Sequence, residues 1–118
     1  MCAIFFGKFM LLQVALGEVK YLSKIATQCR GDELAGTQCV TSYYVSTAVV
    51  ASDGYTDVCG TVSCPRLFIG NEDTGNVDAV VTNVFAWPIA ARFVRLNPQG
   101  YLAYMSLRWE IYGCDILV

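Results

Sequence analysis

The clearest pattern lies near the end of the chain. Between residues 105 and 112, Met105, Leu107, Trp109 and Ile111 alternate with Ser106, Arg108, Glu110 and Tyr112. That is the period of a strand buried on one face. Just upstream, residues 91–96 predict a second strand, in which Phe93 and Val94 lie between Arg92 and Arg95. A loop rich in Pro and Gly, residues 98–103, joins the two. Similar runs recur at residues 11–17, 21–29, 39–50, 55–58 and 77–85, several of them β-branched and aromatic. Turn signals separate them: Gly17-Glu18-Val19-Lys20, the polar stretch 30–38 with two glycines and two acids, and Ser52-Asp53-Gly54. The Asp-Gly pair in the last favours a tight hairpin. No helical period is sustained, and there is no repeat, linker or low-complexity tract. Many short strands between turns predict an all-β sandwich. Leu22, Ile25, Ala26, Phe93, Val94, Leu96, Leu107, Trp109 and Ile111 are its expected core.

Composition narrows the function. The chain has 118 residues, enough for one domain, and 55% of them are hydrophobic. Only 15% are charged, against about 25% in an ordinary soluble domain. That fits either a sandwich with a large interior or a domain with part of its surface uncovered. The net charge of −2 and the absence of Lys/Arg runs argue against nucleic acid, whose binding draws on counterion release at phosphates. They argue equally against purely electrostatic docking on an anionic membrane. The chain contains no histidine, which removes the commonest general base and metal ligand and excludes Ser-His-Asp and Cys-His mechanisms. No catalytic set is visible, and the chain is not expected to be an enzyme. Six cysteines point to disulfides and an oxidising compartment.

Several stretches are similar to the discoidin domain family, also called the coagulation factor five/eight C-type domain. Leu11-Leu12-Gln13-Val14-Ala15-Leu16-Gly17 resembles the pattern W-L-Q-V-D-L-G, with Leu11 for Trp and Ala15 for Asp. Residues 21–29 match V-x-x-I-A-T-Q-G, with Cys29 for the glycine. Residues 40–46 match V-T-S-Y-x-V-S, residues 68–73 resemble F-x-G-N-x-D, and 87–114 form the C-terminal signature ending in Gly113-Cys114. The resemblance implies an antiparallel jelly-roll sandwich of the galactose-binding-domain-like kind. It implies a secreted or cell-surface module that binds cell-surface glycan, phospholipid head groups or an extracellular protein, often in adhesion. The family domain begins several dozen residues further upstream. Residues 1–10 therefore read as an apolar leader, and 11–118 as a domain lacking its first strand or strands. The alternative is a truncated remnant, or an interaction domain completed by a partner, with no ligand of its own.

The stretch 30–38 is the first candidate site, since the corresponding family hairpin reaches ligand. It carries Arg30, Asp32, Glu33 and a lone apolar Leu34 at its tip. Cys29 and Cys39 bracket it, placed to clamp the tip if the flanking strands pair. Tyr101, in the next loop, is either a core plug or a stacking face for a sugar ring. Arg30-Gly31-Asp32 is the tripeptide integrins recognise, but a structural arginine and a turn are the preferred reading. Cys59 and Cys64 suit a local disulfide better than zinc. Family members commonly join an early cysteine to the last one, which makes Cys2–Cys114 a candidate pair. Asn71 and Asp73 are candidate calcium ligands without EF-hand spacing; no other cofactor is expected. Arg92, Arg95 and Arg108 are expected to pair with carboxylates such as Glu110 or Asp115.

Overall fold

The computed structural model describes residues 4–9, 12–32, 36–72, 75–102 and 107–115. Apart from one 3-10 turn at Ala51–Asp53, every regular element there is a strand: β1 (Ile4–Phe9), β2 (Gln13–Gln28), β3 (Arg30–Asp32), β4 (Gly36–Ala48), β5 (Thr56–Asp57), β6 (Phe68–Ile69), β7 (Val81–Leu102) and β8 (Arg108–Asp115). All pairings are antiparallel, in the order β1-β8-β2-β7-β4-β3, with β5 and β6 on the flank of β4. The expected all-β jelly-roll sandwich is the fold.

Strand β7 holds the two layers together. Its first half pairs with β2, from Thr27↔Val81 to Lys20↔Ala91. Its second half pairs with β4, from Ala48↔Phe93 to Cys39↔Leu102. Cys29, two residues past Thr27, is bonded to Cys39 with Cα atoms 4.4 Å apart. Both ends of β7 therefore lie beside the same disulfide: the strand runs out along one layer, turns and returns along the other. Inward residues of the two layers meet between its halves. Leu22 and Ile25 of β2, Tyr43 and Val45 of β4, and Trp109 and Ile111 of β8 are fully enclosed.

This explains where the expected strand boundaries fail. The expected strand 77–85 begins only at Val81, residues 77–80 being turn and irregular chain, and from there it runs on through 91–96 as one strand, because Trp87-Pro88 does not end it. Lys24 faces Val84 and Leu22 faces Ile89, so residues 85–88 bulge opposite Ser23. A bulge accommodates a proline, which has no N–H to give the ladder. The turn expected at 17–20 is likewise a bulge inside β2. The register shifts between Ala15 and Lys20, and Gly17 takes φ +84°. The tight hairpin expected at Asp53-Gly54 is replaced by the 3-10 turn, closed by Gly54 at φ +86°. The predicted 98–103 loop is strand as far as Leu102. Phe93 is only partly buried, on the outer side of β7 beneath the Arg92 guanidinium at 5.2 Å; the other expected core residues are buried.

The segment read as a leader contains β1, which runs along β8 from Ile4↔Gly113 to Phe9↔Trp109. On the other side of β8, Lys20 of β2 donates to Asp115 at 2.7 Å, a bond that holds its ammonium pKa above the usual lysine value.

Candidate ligand-binding end of the sandwich

The stretch 30–38 is a paired hairpin and not an open loop. Arg30 faces Gln38, Gly31 faces Thr37 and Asp32 faces Gly36. Cys29 and Cys39 are bonded at its base, both buried. The tip residues Glu33 and Leu34 lie outside the described residues. Arg30-Gly31-Asp32 forms strand β3, so the tripeptide is held in a ladder short of the tip.

On the other side of β4 the end of β7 runs past, with Leu102 facing Cys39 and Tyr101 facing Val40. Tyr101 is 49% exposed, so it presents its ring to solvent and does not plug the core. Arg30 and Tyr101 thus sit on the strands flanking β4, two strand spacings and two residues of register apart, or about 12 Å. One offers a guanidinium, the other an aromatic face.

Three sets of hydrogen bonds fix this end, the first two made by buried residues and the third by the half-buried Arg108. Thr27 donates its hydroxyl to Asn71 Oδ1 at 2.7 Å, and Asn71 Nδ2 donates to the Ala79 carbonyl at 2.9 Å. The Asn71 and Gly70 main-chain N–H groups donate to the carbonyls of Val40 and Thr41. Arg108 Nε donates to the Cys29 carbonyl at 3.0 Å, while its Nη2 reaches the Val77 carbonyl and the Asp78 carboxylate, each at 3.0 Å. Beneath them Tyr43 stacks on Phe68 with ring centres 5.4 Å apart, and Asn83 donates to its hydroxyl. Burial pushes the Tyr43 phenol up to about 12.

Asn71 spends its side-chain oxygen and nitrogen on the fold, and Asp73, the other calcium candidate, lies outside the described residues. Among the described residues no cluster of three His, Cys, Asp or Glu side chains could hold a metal. The expected ion pair of Arg108 is real, but its partner is Asp78. Arg95 donates to Gln13 Oε1 and lies 3.8 Å from the centre of the Tyr55 ring. Cys59 and Cys64 are bonded to each other, well along the chain from the hairpin. Cys114 is disulfide-bonded; the candidate pairing with Cys2 falls outside the described residues.

Sequence reasoning found the hairpin and its clamp but gave Thr27, Asp78 and Ala79 no role. Thr27 and Asn71 both lay within matched motifs, I-A-T-Q and G-N. A buried threonine beside a strand end and an Asn following Gly were the available signals, and their pairing across 44 positions is a tertiary fact.

The F5/8 type C domain model matches residues 9–111. Among characterised proteins, the chain is 36% identical to Neurexin-4 of Drosophila melanogaster over 90% of its own length and 8% of that protein's. It is 34% identical to Neuropilin-1 of Homo sapiens, over 89% of the chain and 11% of the relative. In structure it resembles discoidin II of Dictyostelium discoideum, with a TM-score of 0.70 and 28% identity over 89% of this chain and 37% of that one. The chain thus spans about a tenth of the length of these two sequence relatives.

Proposed function

The chain belongs to the F5/8 type C domain family, and on that premise we propose that it is a non-enzymatic extracellular binding module. Its ligand is a cell-surface glycan, a phospholipid head group or an extracellular protein, taken at the hairpin end of the sandwich. The observation that carries this is the placement of Arg30 and Tyr101 on either side of β4, next to the Cys29–Cys39 bridge. A bridge at the base pre-organises the hairpin, so less ordering entropy is lost on binding. An exposed aromatic face suits the apolar face of a sugar ring, and a guanidinium suits hydroxyl, carboxylate or phosphate oxygens. The low net charge favours a sugar or protein ligand over anionic lipid. The disulfides and the lack of histidine support an oxidising, non-catalytic setting.

A glycan array and co-sedimentation with phosphatidylcholine vesicles, with and without phosphatidylserine, test the reading. Binding should appear in one of the two and fall about tenfold or more in both R30A and Y101A. Silence in both from cooperatively folded protein overturns the glycan and phospholipid readings; if in addition no extracellular protein binds in a way that R30A and Y101A weaken, the chain is a remnant without a ligand, or a domain that only a partner completes.

A further inference from the structure

A second surface lies at the turn of β7, away from the hairpin end. Two hollows of about 360 and 270 Å³ meet there, sharing Thr47, Thr56 and Ile89 as walls. Val49, Val50 and Trp87 rim them and are each about half exposed. These volumes fall around the lower end of the range for ligand pockets, and they suit successive side chains of an extended segment more than one enclosed molecule.

The edge of the groove has main-chain capacity to spare. Strand β5 pairs only with β4 among the described residues. Val58 N–H donates into β4, to the Val45 carbonyl at 2.8 Å. In an extended strand successive residues turn their N–H and C=O groups to opposite sides, so those of Asp57 face away from β4, with the Cys59 sulfur 3.6 Å from the carbonyl.

Charge selects the occupant. Asp53 and Asp57 are the charged residues lining the two hollows, and no lysine or arginine lines either. Both are exposed, and neither has an ion pair with another described residue. Two carboxylates without an ion pair among the described residues, beside an apolar groove, repel acidic partners and attract basic ones.

We propose that this groove takes an extended segment of a protein partner in which apolar and basic residues alternate. The segment adds to the open edge of β5, seats its apolar side chains against Trp87 and Ile89, and sets its basic side chains on Asp53 and Asp57. Such strand addition draws affinity from main-chain bonds and specificity from alternate side-chain pockets.

The test uses the full chain, labelled with nitrogen-15, and two seven-residue peptides: one alternating valine and lysine, the other valine and glutamate. The valine–lysine peptide should shift the amides of Val49, Thr56 and Asp57 and the Trp87 indole saturably, while Arg30 and Tyr101 stay still. The valine–glutamate peptide should shift none of them. D53N/D57N should weaken the first peptide about tenfold with an unchanged thermal melt, and W87A should weaken it independently. The proposal is overturned by no saturable shift, by an equal response to both peptides, or by shifts centred on Arg30 and Tyr101. It is overturned equally if phosphatidylcholine vesicles, but not the peptide, move the Trp87 signal. Because the hairpin site is read separately at Arg30 and Tyr101, failure here leaves the proposed function standing, and the reverse holds.

Discussion

Thr27 and Asn71, 44 positions apart, are joined by a buried hydrogen bond of 2.7 Å that ties the end of β2 to the loop after β6. Asn71 passes the tie on to the Ala79 carbonyl, and so to the start of β7. Replacing Asn71 with alanine removes the acceptor of the buried Thr27 hydroxyl, which keeps only the Tyr43 phenol as a neighbour, and removes the donor to the partly buried Ala79 carbonyl. The expected cost is about 1–3 kcal/mol, read as a lower urea midpoint at constant m-value. Thr27→Val in the N71A background should recover part of that loss, since a methyl leaves no donor unpaired. No recovery would mean that Asn71 acts through Ala79 alone.

Arg108 and Asp78 form an ion pair at 3.0 Å, but the two partners should differ in importance. The Asp78 side chain is 79% exposed, and an exposed pair of this kind contributes about 0–1 kcal/mol. The Arg108 guanidinium also satisfies the carbonyls of Cys29 and Val77. D78A should therefore change stability by no more than about 1 kcal/mol, and R108A by about 1–3 kcal/mol. Equal losses in the two variants, measured by urea unfolding, would show that the ion pair and not the carbonyl bonds holds the hairpin base.

How far the sequence reaches follows from these residues. The alternation at Leu107, Trp109 and Ile111 reports burial directly, because a strand has one inward face, and all three are buried. The clamp at Cys29 and Cys39 was legible because the bridge links neighbours across a local hairpin. Strand limits were less so. Gly17 and Pro88 are turn signals locally, yet neighbouring strands continue past them and absorb each as a bulge. Partners such as Asp78 for Arg108 depend on which loops meet at one end of the sandwich. No local pattern encodes that.

Tyr43 predicts how the fold responds to alkali. Its phenol is buried against Phe68 and its pKa is pushed up to about 12, from an ordinary value near 10. The neutral form is favoured in the folded state, so between these values the folded chain binds more protons than the unfolded one. Stability is then complete below pH 10 and lost as the pH rises through 12, by about 2–3 kcal/mol in all. Urea midpoints measured from pH 9 to 12, with absorbance at 295 nm reporting tyrosinate, should follow that slope. Y43F should flatten it; an unchanged slope in Y43F would assign the alkaline loss to another group.

Gly113 of β8 predicts the sharpest intolerance. It is buried between two strands, facing Leu22 on β2 and Ile4 on β1. A Cβ placed there would lie 1.8 Å from the Tyr21 carbonyl oxygen and 2.8 Å from the Leu22 Cα. Both are main-chain atoms of a paired strand, so neither can swing aside as a flexible side chain would. G113A must push β8 away from β2 or leave ladder bonds unmade, which overpacking estimates place at about 3 kcal/mol or more. Gly17 is the control: its position has open space around it, and its cost comes from a positive φ alone, about 1 kcal/mol for a single left-handed residue. Thermal melts of G113A and G17A should separate clearly, with G113A lower. If the two variants melt together, the close approach at Gly113 is not what fixes β8 against β2.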